Sequence, residues 1–455
     1  MYKKKRSASS VIFLIIIFSL LAGALYLYNS AMFERDKPSI NVKSKIYWNL
    51  KEPIKVTLND ASGIKYYTVV LKTATEEYVL KREVLHNPLT HIDLDITFAK
   101  ARTLLKEKSA VLKIHANDAS RWNLFSGNNA SAEATIIIDK KRPTLSVVTN
   151  SYGIRRGGSA LVIAKVKDEN LDEFYIDNGA GKHFKLQPFY KEDYFIALVA
   201  WPVNSKKFRA TLIANDFAGN RARTPINFRL KEKKYRLSHL KLKSSFIDGK
   251  ITQLAQEHNS EDIEDGIERF KYVNETLRNE NEKLIHDIAS KISDERIDNF
   301  KLEPFYPLKN AAAVASFGDH RKYSYQKNEV SQSYHLGLDL ASVKMAPIVT
   351  QNDAKVIYAS ENGIYGSMLM LDFGLGLTTV YGHCTNILVD VDSFVSKGTQ
   401  IANTGMTGLA LGDHLHFGTL VQGVEVRPEE WMDKQWFRLN VSNVIKDAKK
   451  IIIRQ

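Results

Sequence analysis

The sequence predicts a mainly β protein of several modules: an N-terminal transmembrane helix, two immunoglobulin-like β-sandwich modules, a helical linker and a C-terminal antiparallel β domain. Three observations predict it. An uncharged apolar run, Val11–Tyr28, follows a basic N-terminus. Landmark peptides recur about 100 residues apart between positions 36 and 232. Short apolar runs punctuated by glycine fill the last third of the chain. With 455 residues, 44% hydrophobic and 25% charged, the chain has room for about three folded domains. Such values exclude a disordered protein, a collagen-like rod and a multi-span transporter.

The first element is residues 1–30. Lys3, Lys4, Lys5 and Arg6 precede a run of 18 residues that includes Ile15, Ile16, Ile17, Leu20, Leu21 and Leu25. That length is close to the ~20 residues needed to cross a bilayer as a helix. The basic cluster marks the cytoplasmic side, so the remainder faces outward. A cleaved signal peptide competes, because Ala22-Gly23-Ala24 resembles a small-residue cleavage site. The apolar run continues past it through Leu25, Tyr26 and Leu27, which favours an uncleaved anchor. The expected location is the inner (cytoplasmic) membrane, single-pass, with the bulk of the chain in the periplasm or otherwise outside the cytoplasm. Lys and Arg number 64 against 51 Asp and Glu, a net charge of +13. Export turns that charge toward an anionic wall or membrane face and away from nucleic acid. A single cysteine, Cys384, excludes an intrachain disulfide and a thiolate zinc cluster.

Residues 36–142 and 143–232 read as two copies of one β unit. Lys37-Pro38-Ser39-Ile40 matches Arg142-Pro143-Thr144-Leu145 at an offset of 105. Val56-Thr57-Leu58-Asn59-Asp60 matches Ala164-Lys165-Val166-Lys167-Asp168 at 108, and Ala116-Asn117-Asp118 matches Ala214-Asn215-Asp216 at 98. Between the landmarks lie β-branched and aromatic runs such as Tyr66–Leu71 and Phe208–Ile213, separated by turns. About 100 residues of such strands is the size of an immunoglobulin-type sandwich. Neither copy holds a catalytic cluster, and spacing or adhesion is the expected role.

In residues 247–300 Gly and Pro nearly vanish and charge density rises. Ile263, Phe270, Leu277 and Leu284 recur every seven residues, joined by Ile267, Val273 and Ile288, an amphipathic helical pattern. A coiled-coil dimer segment and a helix packed on its own chain both fit. Asn274 and Asn281 fall where a second apolar stripe would be needed, which favours the packed helix. Residues 301–432 then turn strand-rich, and 433–455 read as a C-terminal tail.

The chemistry lies in this last domain, which holds His320, His335, His383, His414 and His416. In a strand, residues i and i+2 share a face, so His414 and His416 point to one spot while Leu415 packs behind them. His335 and Asp339 have the same parity, and Gly337 lets the backbone pass closely between them. Imidazoles and a carboxylate without thiolate suit zinc or another borderline divalent metal. Three protein ligands leave a fourth position for water, as catalytic sites do.

Residues from about 305 to 430 resemble the lysostaphin/LytM-like zinc metallopeptidases. The resemblance is carried by Ser316-Phe317-Gly318-Asp319-His320-Arg321, His335-Leu336-Gly337-Leu338-Asp339, Ala346-Pro347-Ile348, Tyr381-Gly382-His383, Thr404-Gly405-Met406-Thr407-Gly408 and Gly412-Asp413-His414-Leu415-His416-Phe417. It implies that His335, Asp339 and His416 hold one Zn2+ per chain and that His383 and His414 form the catalytic pair. Asp413 stands where the family commonly has Pro, and Ser367 follows Gly366 where Asn is common; neither change removes a ligand. For a further tyrosine known in parts of the family, Tyr323, Tyr325 and Tyr334 compete. His320 is more readily structural than substrate-contacting, and Cys384 should face away from the site as a small buried hydrophobe.

With export, the resemblance implies a membrane-anchored endopeptidase cutting the peptide cross-links of peptidoglycan (D,D-endopeptidase) in wall remodelling or cell shape. The alternatives are a non-catalytic or latent regulator of other wall hydrolases and a D,D-carboxypeptidase. Latency would mean that residues 301–455 cleave faster alone than with the segments before them. A regulatory protein partner that opens the site is left open, with nothing in the sequence to specify it.

Overall fold

The computed structural model describes residues 8–98, 105, 107–258 and 262–454; Lys3, Lys4, Lys5 and Arg6 lie outside them. The chain divides into two compact units, Met1–Arg142 with Asn215–Arg221, and Pro143–Ala214 with Ala222–Gln455.

The first unit begins with a helix, Ala8–Asn29. Its stretch Val11–Asn29 is exposed throughout and is long and apolar enough to cross a membrane. The strands that follow form one connected sheet in the order Ser39–Asn41, Ile54–Lys72, Ser109–Asp118, Asn129–Ile138, Lys45–Trp48, with Glu77–Ile96 also paired to Ile54–Lys72. The 19-residue strand Ile54–Lys72 shifts register around Gly63. Gly63 has φ +90°, and a Cβ there would stand 2.8 Å from Pro88 Cβ. The first part of this strand pairs with Ser39–Asn41 and the later part with Ser109–Asp118. Continuous strands thus run through the place where a two-sheet sandwich would break. Alternate residues Val56, Leu58, Val69, Leu71, Leu112 and Ile114 point into its core.

The strands between 143 and 232 form one two-stranded sheet, Gly153–Arg155 with Arg229–Lys231, and two four-stranded sheets. One contains Thr144–Asn150, Ser159–Lys167, Tyr194–Ala200 and Gln187–Pro188; the other contains Leu171–Asp177, His183–Lys185, Thr211–Asp216 and Arg221–Pro225. The two copies share a register: Ile40 pairs with Leu58 and Leu145 with Val166, positions related by the sequence offsets of 105 and 108.

The C-terminal domain is built on an eight-stranded sheet. Its order is Ala312–Ala315, Leu338–Ala341, Leu415–Val421, Leu377–Cys384, Ser367–Asp372, Ala354–Glu361, Phe394–Val395, with Val424–Val426 beside Leu415–Val421. Leu377–Cys384 and Leu415–Val421 are buried along their whole length, because this sheet is covered on both faces. Tyr381, Leu415 and Phe417 belong to a core shared with the strands of 143–232. Met368, Met370, Val380 and Leu420 belong to a second core shared with Leu254, Phe270, Val273, Leu277 and Ile285.

Those last residues come from two helical segments, Ser244–Glu257 and Gly266–Ala289. The heptad expectation needs correcting in detail. The turns at Tyr272–Leu277 are π-type and advance the stripe, so Ile285 is buried and Leu284 is exposed. Asn274 and Asn281 lie on the buried face, where Asn274 Nδ2 donates to Ser331 Oγ and Asn281 Oδ1 accepts from the Ile364 amide. The segment expected as a tail is helical over Asn443–Arg454. Its Val444, Ile445, Ala448 and Ile452 are buried in the core that includes Leu161 and Ile163.

Candidate metal centre

Asp339 and His416 are directly opposite each other on paired strands. Cross-strand partners share a face, so their side chains meet. His416 Nδ1 lies 2.9 Å from Asp339 Oδ1. His335 Nε2 lies 3.0 Å from the same oxygen and 3.2 Å from His416 Nδ1. Three ligand atoms thus form a nearly equilateral triangle, and all three residues are able to share one ion. A tetrahedral ion with bonds of ~2.0–2.1 Å holds its ligands about 3.3–3.4 Å apart, close to these edges.

The tautomers strengthen the fit. His335 Nδ1–H donates to Ser316 O at 3.0 Å, which leaves Nε2 as a lone pair facing a carboxylate oxygen. Two lone pairs in contact call for a cation between them. Burial opposes the charge of Asp339, but the imidazoles of His335 and His416 hold its carboxyl far below the usual range. Burial pushes His416 down.

His335 precedes the strand Leu338–Ala341 and is separated from it by Leu336-Gly337, so strand parity is not what aligns it with Asp339. Its place is set instead by Gly318 N donating to His335 O and His335 N donating to Asp319 O. Gly337 does bring the backbone close: a Cβ there would stand 2.5 Å from His416 Cε1 and Nε2.

His383 is the penultimate residue of the strand Leu377–Cys384 and has a left-handed φ of +62°. Its Nδ1–H donates to Thr407 O at 2.8 Å. Thr407 is itself fixed, its hydroxyl donating to Cys384 O and accepting from Ser367 N. Burial, then the nearby His416 and His414, push His383 down to about 3, so its imidazole is neutral at physiological pH. His414 Nδ1–H donates to Gly412 O at 2.7 Å, and its Nε2 is 3.8 Å from Asp339 Oδ1. The rings of His383 and His414 are 4.8 Å apart. Both therefore keep Nε2 as the free ring nitrogen beside the three-ligand cluster.

All five residues line one cavity of about 370 Å³. Its walls include Arg236, Leu240 and Arg278, which the sequence reading did not single out, and Arg321. Ser238 Oγ donates to the buried Asp319, which also pairs with Arg321 at 3.5 Å. Among the tyrosines, Tyr365 lines the cavity, its ring 5.3 Å from that of His416. Tyr323, Tyr325 and Tyr334 are not among the lining residues. Tyr365 was missed because its signal is spatial: it sits in a turn, Gly363–Tyr365, pinned by Asn281 from the helix. His320 stacks on Tyr334 at 4.5 Å, donates from Nε2–H to Gln332 Oε1, and stays outside the cavity lining. Cys384 is fully buried, with its thiol pushed up to about 12 by burial.

Residues 333–428 match Peptidase family M23. The chain carries an M23 peptidase domain at its C-terminal end. All five clustered residues of that domain fall inside the matched span. The domain is 33% identical over 119 residues to the peptidoglycan DD-endopeptidase ShyB of Vibrio cholerae, covering 26% of this chain and 27% of that protein. It is 26% identical over 108 residues to the DD-carboxypeptidase/endopeptidase Mpg of Neisseria meningitidis, covering 23% of this chain and 25% of that protein. The chain thus spans about a quarter of the length of the curated relatives it matches. Among solved structures, the lysostaphin catalytic domain of Staphylococcus simulans is 24% identical, with a TM-score of 0.23 over 27% of this chain and 92% of that one.

Proposed function

We propose that this chain is a membrane-anchored zinc metallo-endopeptidase that hydrolyses the peptide cross-links of peptidoglycan, a D,D-endopeptidase acting in wall remodelling or cell shape. The observation that carries the reading is the convergence of His335 Nε2, Asp339 Oδ1 and His416 Nδ1 within 3.2 Å of one another. Two imidazoles, one carboxylate and no thiolate fit one Zn2+ with an open fourth position. When bound, zinc lowers the pKa of water to ~7 and polarises the scissile carbonyl.

The chain's own residues supply the rest. His335, Asp339 and His416 hold the ion, and Ser316 O orients His335. His383 and His414, each with Nδ1–H engaged by a backbone carbonyl, are the proton carriers. One takes a proton from the attacking water at Nε2 and hands it on to the leaving amine; the other, when it carries a proton at Nε2, stabilises the developing oxyanion. Arg236, Arg278 and Arg321 give the cavity a cationic wall, suited to the carboxylates of a stem peptide.

The helix Ala8–Asn29 is the anchor in the inner membrane, with the bulk of the chain in the periplasm. Residues 36–142 and 143–232 are immunoglobulin-like spacers, 247–300 is the helical linker, and 301–432 is the peptidase domain, followed by 433–455. A non-catalytic regulator would not need both His383 and His414 in the cavity. The names of the relatives leave endopeptidase and carboxypeptidase action both to be tested. Digestion of purified cross-linked peptidoglycan, with and without a chelator and read by fragment mass, decides. A chelator-sensitive fall in cross-linked dimers is the expected result. Release of terminal D-Ala alone would make the chain a carboxypeptidase, and no chelator-sensitive product would overturn the proposal.

A further inference from the structure

The two β copies close their last hairpin with the same lock. In the first, Asp118 accepts from the backbone and side-chain amides of Asn128 at 2.7 and 2.8 Å. In the second, Asp216 accepts from those of Asn220, both at 2.8 Å. Three residues separate the partners in the second copy and nine in the first. The six extra residues of the first copy form a projecting loop. Trp122, Leu124 and Phe125 on it are 38%, 94% and 72% exposed. Asn123, Leu124 and Phe125 all have left-handed φ, at 51°, 55° and 69°. Such a conformation is disfavoured for Leu and Phe and persists only where the surroundings hold it.

The surroundings are the segment leaving the N-terminal helix. Arg121 N donates to Met32 O at 2.7 Å. Ser120 Oγ and Asn128 Nδ2 both donate to Glu34 O, at 2.6 and 3.1 Å. The Arg35 guanidinium lies 4.3 Å from the ring of Tyr28 and 4.5 Å from that of Trp122. Tyr28 is in the last turn of the helix. One guanidinium therefore bridges the end of the helix and the base of the loop.

We infer that the loop 119–127 is a second membrane contact, with Leu124 and Phe125 inserted at the headgroup–acyl boundary and Trp122 lying at the interface. The inference rests on reading Ala8–Asn29 as the anchor. Trp and Tyr are the side chains that settle at this depth, and apolar side chains beside them bury into the same boundary. Arg35 and Arg121 are exposed at the loop's base, where lipid phosphates would meet them. Lipid is the occupant because the loop is continuous with the helix end through the bonds above. A lone helix lets the module swivel, whereas two contacts fix its tilt on the bilayer.

The test uses the full chain in lipid vesicles, with an environment-sensitive fluorophore on Leu124→Cys and, separately, on Leu20→Cys and Phe394→Cys. Leu20 is mid-helix, and Phe394 is an 82%-exposed site in the second unit. Cys384 stays in place, fully buried and with a thiol pushed up to about 12, so it does not label. Vesicle binding should blue-shift the label at 124, and lipids brominated near the headgroup should dim it. Bromines near the chain end should dim the label at 20, and neither should touch the label at 394. A label at 124 that behaves like 394 while 20 is quenched overturns the loop and leaves the anchor standing. An unquenched label at 20 brings down the anchor reading as well. A blue shift at 124 without bromine quenching means that a protein or a second copy covers the loop, and overturns the lipid assignment.

Discussion

Gly337 is where one methyl group has the most specific effect. A Cβ there would stand 2.5 Å from Cε1 and Nε2 of His416 and 3.0 Å from Phe417 O. Ordinary contact begins near 3.4 Å, so something must retreat by about 0.9 Å, whereas metal–ligand distances tolerate only about ±0.2 Å. Phe417 O belongs to the fully buried ladder strand Leu415–Val421 and is held. The displacement therefore falls on the imidazole of His416, with the ring of Tyr365 packed 5.3 Å away against it. Gly337→Ala should lower zinc affinity by about 10–100-fold, the usual effect of disturbing a ligand's support. Unfolding should stay cooperative. Competition against a chromophoric chelator, together with a thermal melt, measures both. Wild-type zinc affinity in a folded Gly337→Ala protein would refute the claim that the bare backbone at 337 seats His416.

Asp339→Ala should lose metal, whereas His383→Ala and His414→Ala should retain about one zinc per chain and lose turnover; elemental analysis and cross-link cleavage read the two separately, and zinc loss from either histidine variant would move that residue into the ligand set. Asn281→Ala leaves the buried Ile364 amide without its acceptor and should cost about 1–3 kcal/mol in denaturant unfolding. Glu430 is buried and accepts from Ser159 N; burial pushes its carboxyl up to about 7 from 4.5. The folded state then binds the proton more tightly than the unfolded chain, so stability falls as pH rises from about 4.5 through 7, by about 3 kcal/mol. Glu430→Gln should remove that slope, which unfolding curves at pH 5 and pH 8 would show.

The five polar residues converge on one cavity, and each sits in a short glycine-bearing motif that the sequence displays. Asp339 and His416 are opposite partners in the sheet, as alternation suggests. His335 does lie beside Asp339 and His416, but backbone bonds at Gly318 and Asp319 aim it, not strand parity. Tyr365, Arg236 and Arg278 were invisible as site residues, because each reaches the cavity through long-range packing that no local pattern encodes. The repeat offsets reappear as equivalent pairings, Ile40 with Leu58 and Leu145 with Val166, whereas the connected sheet of the first copy, with its register shift around Gly63, has no local signal in the sequence. The heptad failed at Leu284 because a π-type turn rotates the face, and hydrogen bonds rather than apolar contact decide where Asn274 and Asn281 go.

Latency in its simple form predicts that residues 301–455 cleave faster without the segments before them. Packing argues the reverse. Met368, Met370, Val380 and Leu420 are at most 2% exposed, in one core with Phe270, Val273, Leu277 and Ile285. Removing the helices would return those four side chains to water at about 1.5–3 kcal/mol each, about 6–12 kcal/mol together. That is comparable to the whole stability of a typical domain, about 5–15 kcal/mol. The strand Leu237–Lys241, paired in parallel with His320–Tyr325, would go too, and with it Arg236 and Leu240 from the cavity wall. The fragment 301–455 should therefore melt without a cooperative transition and cleave more slowly than the chain that retains residues 233–300. A fragment that folds cooperatively and cleaves faster would restore latency and show that the helices restrain the site rather than build it.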